Sequence, residues 1–363
     1  MSRPVSYSLS VEHREPDEDD TRRQLIEQLL SISEITFKDS GHATRSVHAK
    51  SHGLLNAELV INDGLPSTLA QGLFARGGRY SVLMRFSTIP GDVLADSISV
   101  PRGLAIKILG VDGERLPGSE GDSTQDFVMV NSPAFSASTA KAFLKNLKLL
   151  AKTTDKAEGL KKVLSAALRG AESLLEAVGG ESGTLKALGG HPETHILGET
   201  FYSQAPLRYG DYIAKISLAP VSPELVALTD APLNVNGKPN GLREAVKTFF
   251  EAETAVWELR AQLCTDLDQM PIEDSSKAWA EDLSPYVAIG RITARPQDSW
   301  SDHNIAAIDD GMSFSPWHGI TAHQPLGSIM RVRREVYRSS AGFRGTHNGC
   351  PMHEPRSAQP GNT

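Results

Sequence analysis

The chain has 363 residues, 39% of them hydrophobic and 22% charged, which is the composition of a soluble globular protein long enough for one large domain or two ordinary ones. Forty-four acidic residues against 37 basic ones give a formal charge of −7 and exclude a general affinity for nucleic acid. No apolar run is long enough for a membrane span, the N-terminus lacks the apolar core of a signal peptide, and two cysteines make neither a disulfide framework nor a metal pair. A cytoplasmic chain is expected.

Residues 1–18 are polar and contain prolines, as an extended arm would. From Asp20 to Ile35 the apolar positions Leu25, Ile26, Leu29, Leu30 and Ile32 follow helical spacing, with Asp20 or Thr21 placed to cap the helix. Strand-like runs follow: NAELVIN (56–62), YSVLMRFS (80–87), RGLAIKILG (102–110) and FVMV (127–130). A helical insertion over 136–180, rich in Ala, Leu and Lys, interrupts them. Three more strands are expected in GDYIAKISLAP (210–220), AVWELRAQL (255–263) and PYVAIGRITA (285–294). Seven or eight strands without regular intervening helices predict an α+β chain built on an antiparallel barrel rather than a βαβ fold. Residues 1–41 are read as arm and helix, 42–344 as one core, and 345–363 as a flexible tail.

Several stretches carry chemistry. HPETH places His191 and His195 four apart, but its proline and the flanking glycines favour a helix start or loop over a zinc helix. The Gly-rich stretches lack the Gly-Lys-Ser/Thr of a phosphate loop. HATRSVHAKSHG (42–53) sets three histidines and an arginine just before a strand. Near the end, RVRREVYRSSAGFR (331–344) crowds five arginines around Tyr337. As a helix, it puts Arg333 one turn before Tyr337 and Arg344 two turns after it, on one face. A guanidinium beside a phenol favours phenolate, and an arginine further along can grip a carboxylate. A ferric haem with propionates needs that combination. A solvated basic helix is the competing reading.

RSVHAKSHG, VLMRFST, PRGLAIKILGVDG, MPIED and RREVYRSSAGFR resemble, in this order, segments of the haem catalase superfamily, and the chain is similar to its small catalase-related peroxidases, the mini-catalases. The resemblance spans about residues 42 to 344. It implies a catalase-like barrel of about eight strands with a proximal ligand helix, without the C-terminal helical domain of full-length catalases. It makes His48 the distal acid/base, oriented by Ser87, and Val47 its neighbour at the haem. Arg45, Arg85 and Arg344 are implied to hold haem propionates, Tyr337 to bind the iron of haem b as tyrosinate, and Arg333 to pair with Tyr337. Catalases carry a distal asparagine before a TPVFF-like strand. Here GDSTQDFVMV offers Ser123 or Gln125 in its place, and Phe135 is the expected lining phenylalanine.

The implied function is reduction of hydrogen peroxide or organic hydroperoxides at the expense of a small organic electron donor, with weak catalase activity. Two alternatives stand beside it. Allene oxide synthase-like isomerases have threonine before the distal histidine, where this chain has Val47. A haem carrier would need no acid/base pair such as His48 and Ser87. The amphipathic N-terminal helix fits either a homodimer contact or a cover over its own barrel.

Overall fold

The computed structural model describes residues 3–151 and 191–355. At its centre lies a nine-stranded sheet comprising β1 (Ser51–Ile61), β2 (Gly78–Thr88), β3 (Arg102–Leu109), β4 (Thr124–Val130), β5 (Phe201–Tyr202), β6 (Leu207–Tyr209), β7 (Tyr212–Pro220), β8 (Ala255–Leu263) and β9 (Val287–Ala294). The spatial order is β5-β4-β3-β2-β1-β9-β8-β7-β6, with β5 pairing to β7 as well. That extra pairing closes eight antiparallel strands into a barrel and leaves β6 as an added strand on β7. All seven expected strands are present. The two that the sequence did not announce, β5 and β6, are too short to show alternation.

Side chains alternate across the barrel wall with the period of two that a strand imposes. Met84 and Phe86 of β2, Leu104, Ile106 and Ile108 of β3, and Trp257 and Leu259 of β8 fill the interior. Arg85 and Ser87 therefore project outward. Yet the outer wall at this point is not solvated, because a second layer covers it. Helices α1 (Glu18–Ser40), α2 (Ala140–Ala151) and α4 (Ser328–His347) pack together through Leu25, Leu29, Leu144, Leu147, Ile329 and Val332. Between α2 and α4 in the chain comes α3 (Gly241–Phe250), whose Leu242, Val246 and Phe250, spaced four apart, join the barrel core.

Several expectations are adjusted. Asp17, not Asp20 or Thr21, stands at the N-cap of α1, and Glu18, Asp19 and Asp20 occupy its first turn, where the helix dipole favours negative charge. The N-terminal arm is extended but docked, with Val5 and Tyr7 hydrogen-bonded to Cys264 and Asp211. The insertion is helical over Ala140–Ala151, and the rest of it lies outside the described residues. The segment expected to be a flexible tail from 345 behaves otherwise up to its described end. Helix α4 continues to His347, and Glu354 is ion-paired to the buried Lys107 at 2.6 Å.

Candidate active site

The segment that enters β1 carries His48 in a left-handed backbone conformation, φ 55°. A non-glycine residue holds that conformation only when its surroundings fix it. Here the His48 and Ala49 amides donate to the Ile89 and Pro90 carbonyls at 2.7 and 3.0 Å. The Arg85 Nη2 donates to the His48 carbonyl at 2.8 Å from the other side. The imidazole Nδ1 lies 3.0 Å from Ser87 Oγ, and Ser87 Oγ lies 3.4 Å from the Gly103 carbonyl. When the serine hydroxyl donates to that carbonyl it accepts from Nδ1–H, which leaves Nε2 as the proton acceptor of the ring. Burial, followed by the charges of Arg85, Arg333 and Arg45, holds the imidazole pKa down to about 3, so the ring is neutral at neutral pH.

Gly103 belongs to this arrangement. It stands opposite Ser87 in the β2–β3 ladder, and a Cβ there would overlap the His48 ring. No larger residue leaves room for the imidazole against the barrel wall.

His48, Ser87 and Gly103 open onto a cavity of about 660 Å³, its mouth included. Val47, Leu104, Ala105, Val128, Met129 and Phe314 supply apolar walls, and Leu29 and Val336 of the covering helices close it. Tyr337, Arg45, Arg85 and Arg344 also line it. The three arginines converge on Asp309, in a turn of π-helix over Ile305–Asp310, two of them on its carboxylate and Arg344 on its backbone carbonyl. Arg45 Nη1 and Arg85 Nε each lie 2.7 Å from Asp309 Oδ1, and Ser51 donates to Oδ2. Arg344 donates to the Asp309 and Met312 carbonyls at 2.9 and 3.1 Å. Burial pushes the pKa of Asp309 up, but Arg85 and Arg45 outweigh it and hold the carboxyl well below the usual carboxylate range.

Arg45 and Arg85 share one side-chain carboxylate while Arg344 meets backbone carbonyls, which leaves positive charge for further anions, and Arg344 Nε is buried without a hydrogen-bond partner. An apolar-walled cavity lined by a phenol, a hydrogen-bonded imidazole and surplus arginines suits a haem with its propionates.

The sequence-derived residues divide accordingly. Arg45, Val47, His48, Arg85, Ser87, Tyr337 and Arg344 meet in the cavity. Arg333 does not line it; its guanidinium lies over the Phe135 ring at 5.4 Å and 3.6 Å from Met330 Sδ. Phe135 packs on Phe143 in the helical layer. Ser123 precedes β4 at the end remote from the cavity. Gln125 accepts from the Ile320 amide at 3.0 Å, away from His48.

Asp309 and Gly103 carry no signal of their own in the sequence. Asn131 does: the run Asn131-Ser132-Pro133-Ala134-Phe135 matches the asparagine and TPVFF-like pattern better than Ser123 or Gln125 upstream. Asn131 follows β4 beside the Gly103–Val130 pair, but its amide donates to His191 at 2.7 Å and Glu199 at 3.1 Å. The second histidine of HPETH, His195, caps a short turn by accepting from the Leu197 amide.

Structural comparison finds the same architecture in solved proteins. A fungal catalase superposes with a TM-score of 0.58 at 16% identity, covering 91% of this chain and 71% of its own. Catalase A from Saccharomyces cerevisiae gives 0.57 at 17%, with 95% and 68% covered. A bacterial catalase gives 0.59 at 16%, with 100% and 67% covered. The fold is catalase-like. No protein-family model matches the sequence, and no curated protein matches it. In this catalase-like barrel the cavity lies between the outer wall of β2–β4 and helix α4.

Proposed function

We propose that the protein is a haem-dependent peroxidase that reduces hydrogen peroxide or organic hydroperoxides with a small organic electron donor. The observation that carries this reading is the neutral His48, fixed by Ser87 against Gly103, in the same cavity as Tyr337. A carrier needs a slot and an anchor but no positioned base.

Haem b, when bound, supplies a redox-active iron at which a hydroperoxide O–O bond can be cleaved. Tyr337 would hold that iron through its phenol oxygen, and Arg45, Arg85 and Arg344 would hold the propionates. The chain supplies the proton chemistry. His48 Nε2 accepts the hydroperoxide proton and returns it to the departing oxygen, while Ser87 keeps the ring in one tautomer. Val47 and Leu29 keep bulk water away, so the proton stays with His48. Among the described residues no amide side chain lines the cavity, so no asparagine stands beside His48 to orient a second peroxide molecule. This favours an organic reductant over a catalase cycle.

The purified protein should show a ferric haem spectrum that Tyr337→Phe changes or abolishes. His48→Gln should retain the spectrum and lower peroxide turnover by about a hundredfold or more. Unchanged turnover in that variant would leave only a haem carrier. Fast oxygen evolution from hydrogen peroxide without a donor would replace peroxidase with catalase.

A further inference from the structure

On its other flank Tyr337 borders a second groove, of about 930 Å³ with its mouth included. Helix α4 forms one wall. Ala341, Gly342 and Gly345 give this stretch of α4 a low profile, and a Cβ at Gly342 would meet nothing within 4 Å. Trp317 also lines the groove, and its indole N–H donates to the Met330 carbonyl of α4 at 2.7 Å, which fixes the ring.

Two arginines from successive turns of α4 converge at the mouth. A Cβ on Gly118 would lie 2.5 Å from Arg338 Nη2 and 3.9 Å from Arg334 Nη2, so both guanidinium groups reach one spot on that loop. Among the described residues, neither has a carboxylate within 3 Å. Glu335 stands 3.9 Å from Arg334 Nε and 3.5 Å from Arg338 Nη1, at the outer limit of an ion pair. Glu120 turns both oxygens to the Gly118 amide at 2.9 Å. Arg334 Nε is buried with no hydrogen-bond partner, and its guanidinium lies 5.5 Å over the Trp317 ring. The contrast on the same helix is Arg331, held by Glu12, Glu18 and Glu273 within 2.6–2.9 Å.

We infer that this groove binds a small aromatic carboxylate, its two oxygens shared by Arg334 and Arg338 and its ring laid between Trp317 and the flank of Tyr337. Two guanidinium forks match a planar two-oxygen anion. An indole and a phenol lining one groove beside a low helix surface give an aromatic ring surface to pack on. The inference stands on the arginine pair and is independent of any cofactor in the neighbouring cavity.

Isothermal titration of the purified full-length protein tests it, with benzoate as probe and acetate and inorganic phosphate as comparators. Benzoate should bind with one-to-one stoichiometry, and the comparators about tenfold more weakly or not at all. Arg334→Gln and Arg338→Gln should each weaken benzoate by about tenfold, the loss expected for one charge-assisted contact. Arg338 has a side chain 57% exposed, so its replacement threatens folding least and carries the test if Arg334→Gln is unstable. Absence of benzoate binding, equal binding of acetate or phosphate, or unchanged benzoate affinity in Arg338→Gln each overturns the proposal. The last of these would place the probe in the cavity of Arg45, Arg85 and Arg344.

Discussion

A methyl group at position 103 would take the space of the His48 imidazole, and it would also stand 3.0 Å from Ser87 Oγ. Gly103→Ala should therefore displace His48 while leaving the β2–β3 ladder intact. Peroxide turnover should fall by about a hundredfold, close to the loss from replacing His48 itself, with haem absorption retained. Turnover within twofold of the unaltered protein would show that His48 has another place to go. Asp309 offers a second test. Among the described residues it is the one side-chain carboxylate bound to both Arg45 and Arg85, so Asp309→Asn leaves those cations repelling each other in a buried site. The haem-free variant should melt at lower temperature than the unaltered protein, and haem should restore more stability to it, since propionates would meet less repulsion. A haem-induced rise in melting temperature no larger than that of the unaltered protein would refute this. His48, Ser87 and Arg85 are legible in the sequence because each sits in a spelled motif. Asp309 is not, because an Asp-Asp-Gly sequence reads as an exposed turn and only the fold turns it toward three distant arginines.

At the level of elements, helix α4 sorts its arginines by angle. At about 100° per residue, Tyr337 and Arg344 fall about 20° apart, and Arg333 about 40° from Tyr337, on the cavity face. Arg331, Arg334 and Arg338 share the other face within about 60° of one another. The amino-acid spacing alone carries this division. It does not carry the partners, because Glu12 and Glu18 lie more than 300 residues away and reach Arg331 only through the docked arm. Arg331→Met leaves Glu12, Glu18 and Glu273 crowded, with only the exposed Arg14 near Glu18 at 3.7 Å among the described residues. Chemical unfolding should show a loss of about 3 kcal/mol, with haem affinity per folded molecule little changed. A loss below about 0.5 kcal/mol, typical of an exposed pair, would mean that the arm is held by other contacts. Helix α3 shows the reverse case. Its Leu242, Val246 and Phe250 carry a plain four-residue spacing, but the helix is short and lies between two strands of a β-rich stretch.

For the whole molecule, the barrel is a scaffold whose outer wall is used twice, once for the cavity and once to bury a charge cluster beneath the C-terminal segment. Lys107 sits between Ile106 and Ile108 in β3, where alternation assigns it to solvent, yet its side chain is 0% exposed. Asp126 pairs with it at 2.9 Å and Glu354 at 2.6 Å, and His318 Nδ1 lies 3.2 Å from Asp126 and 3.0 Å from Glu354. Alternation gave the direction of the side chain correctly, but no local pattern announces that residues 351–355 return to cover it. Burial lowers the pKa of His318, but hydrogen bonds to Asp126 and Glu354 prevail and raise it to about 9. A raised histidine contributes stability that is complete below its ordinary value near 6.5 and is lost as pH climbs through about 9. Burial raises Glu354, but His318 and Lys107 bring it down to about 2, so its contribution is present above the ordinary carboxylate range and lost toward pH 2. Glu354→Gln should therefore lower the melting temperature most between pH 5 and pH 7, where both contributions of the unaltered protein are intact, and least above about pH 9. The two curves should draw closer on the alkaline side without meeting, because Lys107 keeps its pair with Glu354 there. On the acid side both proteins should still lose stability below about pH 6.5, because His48, His195 and His323 are buried neutral with pKa values of about 3, 4 and 4. Parallel curves across pH 5 to 10 would show that Glu354 does not hold His318 in its charged form.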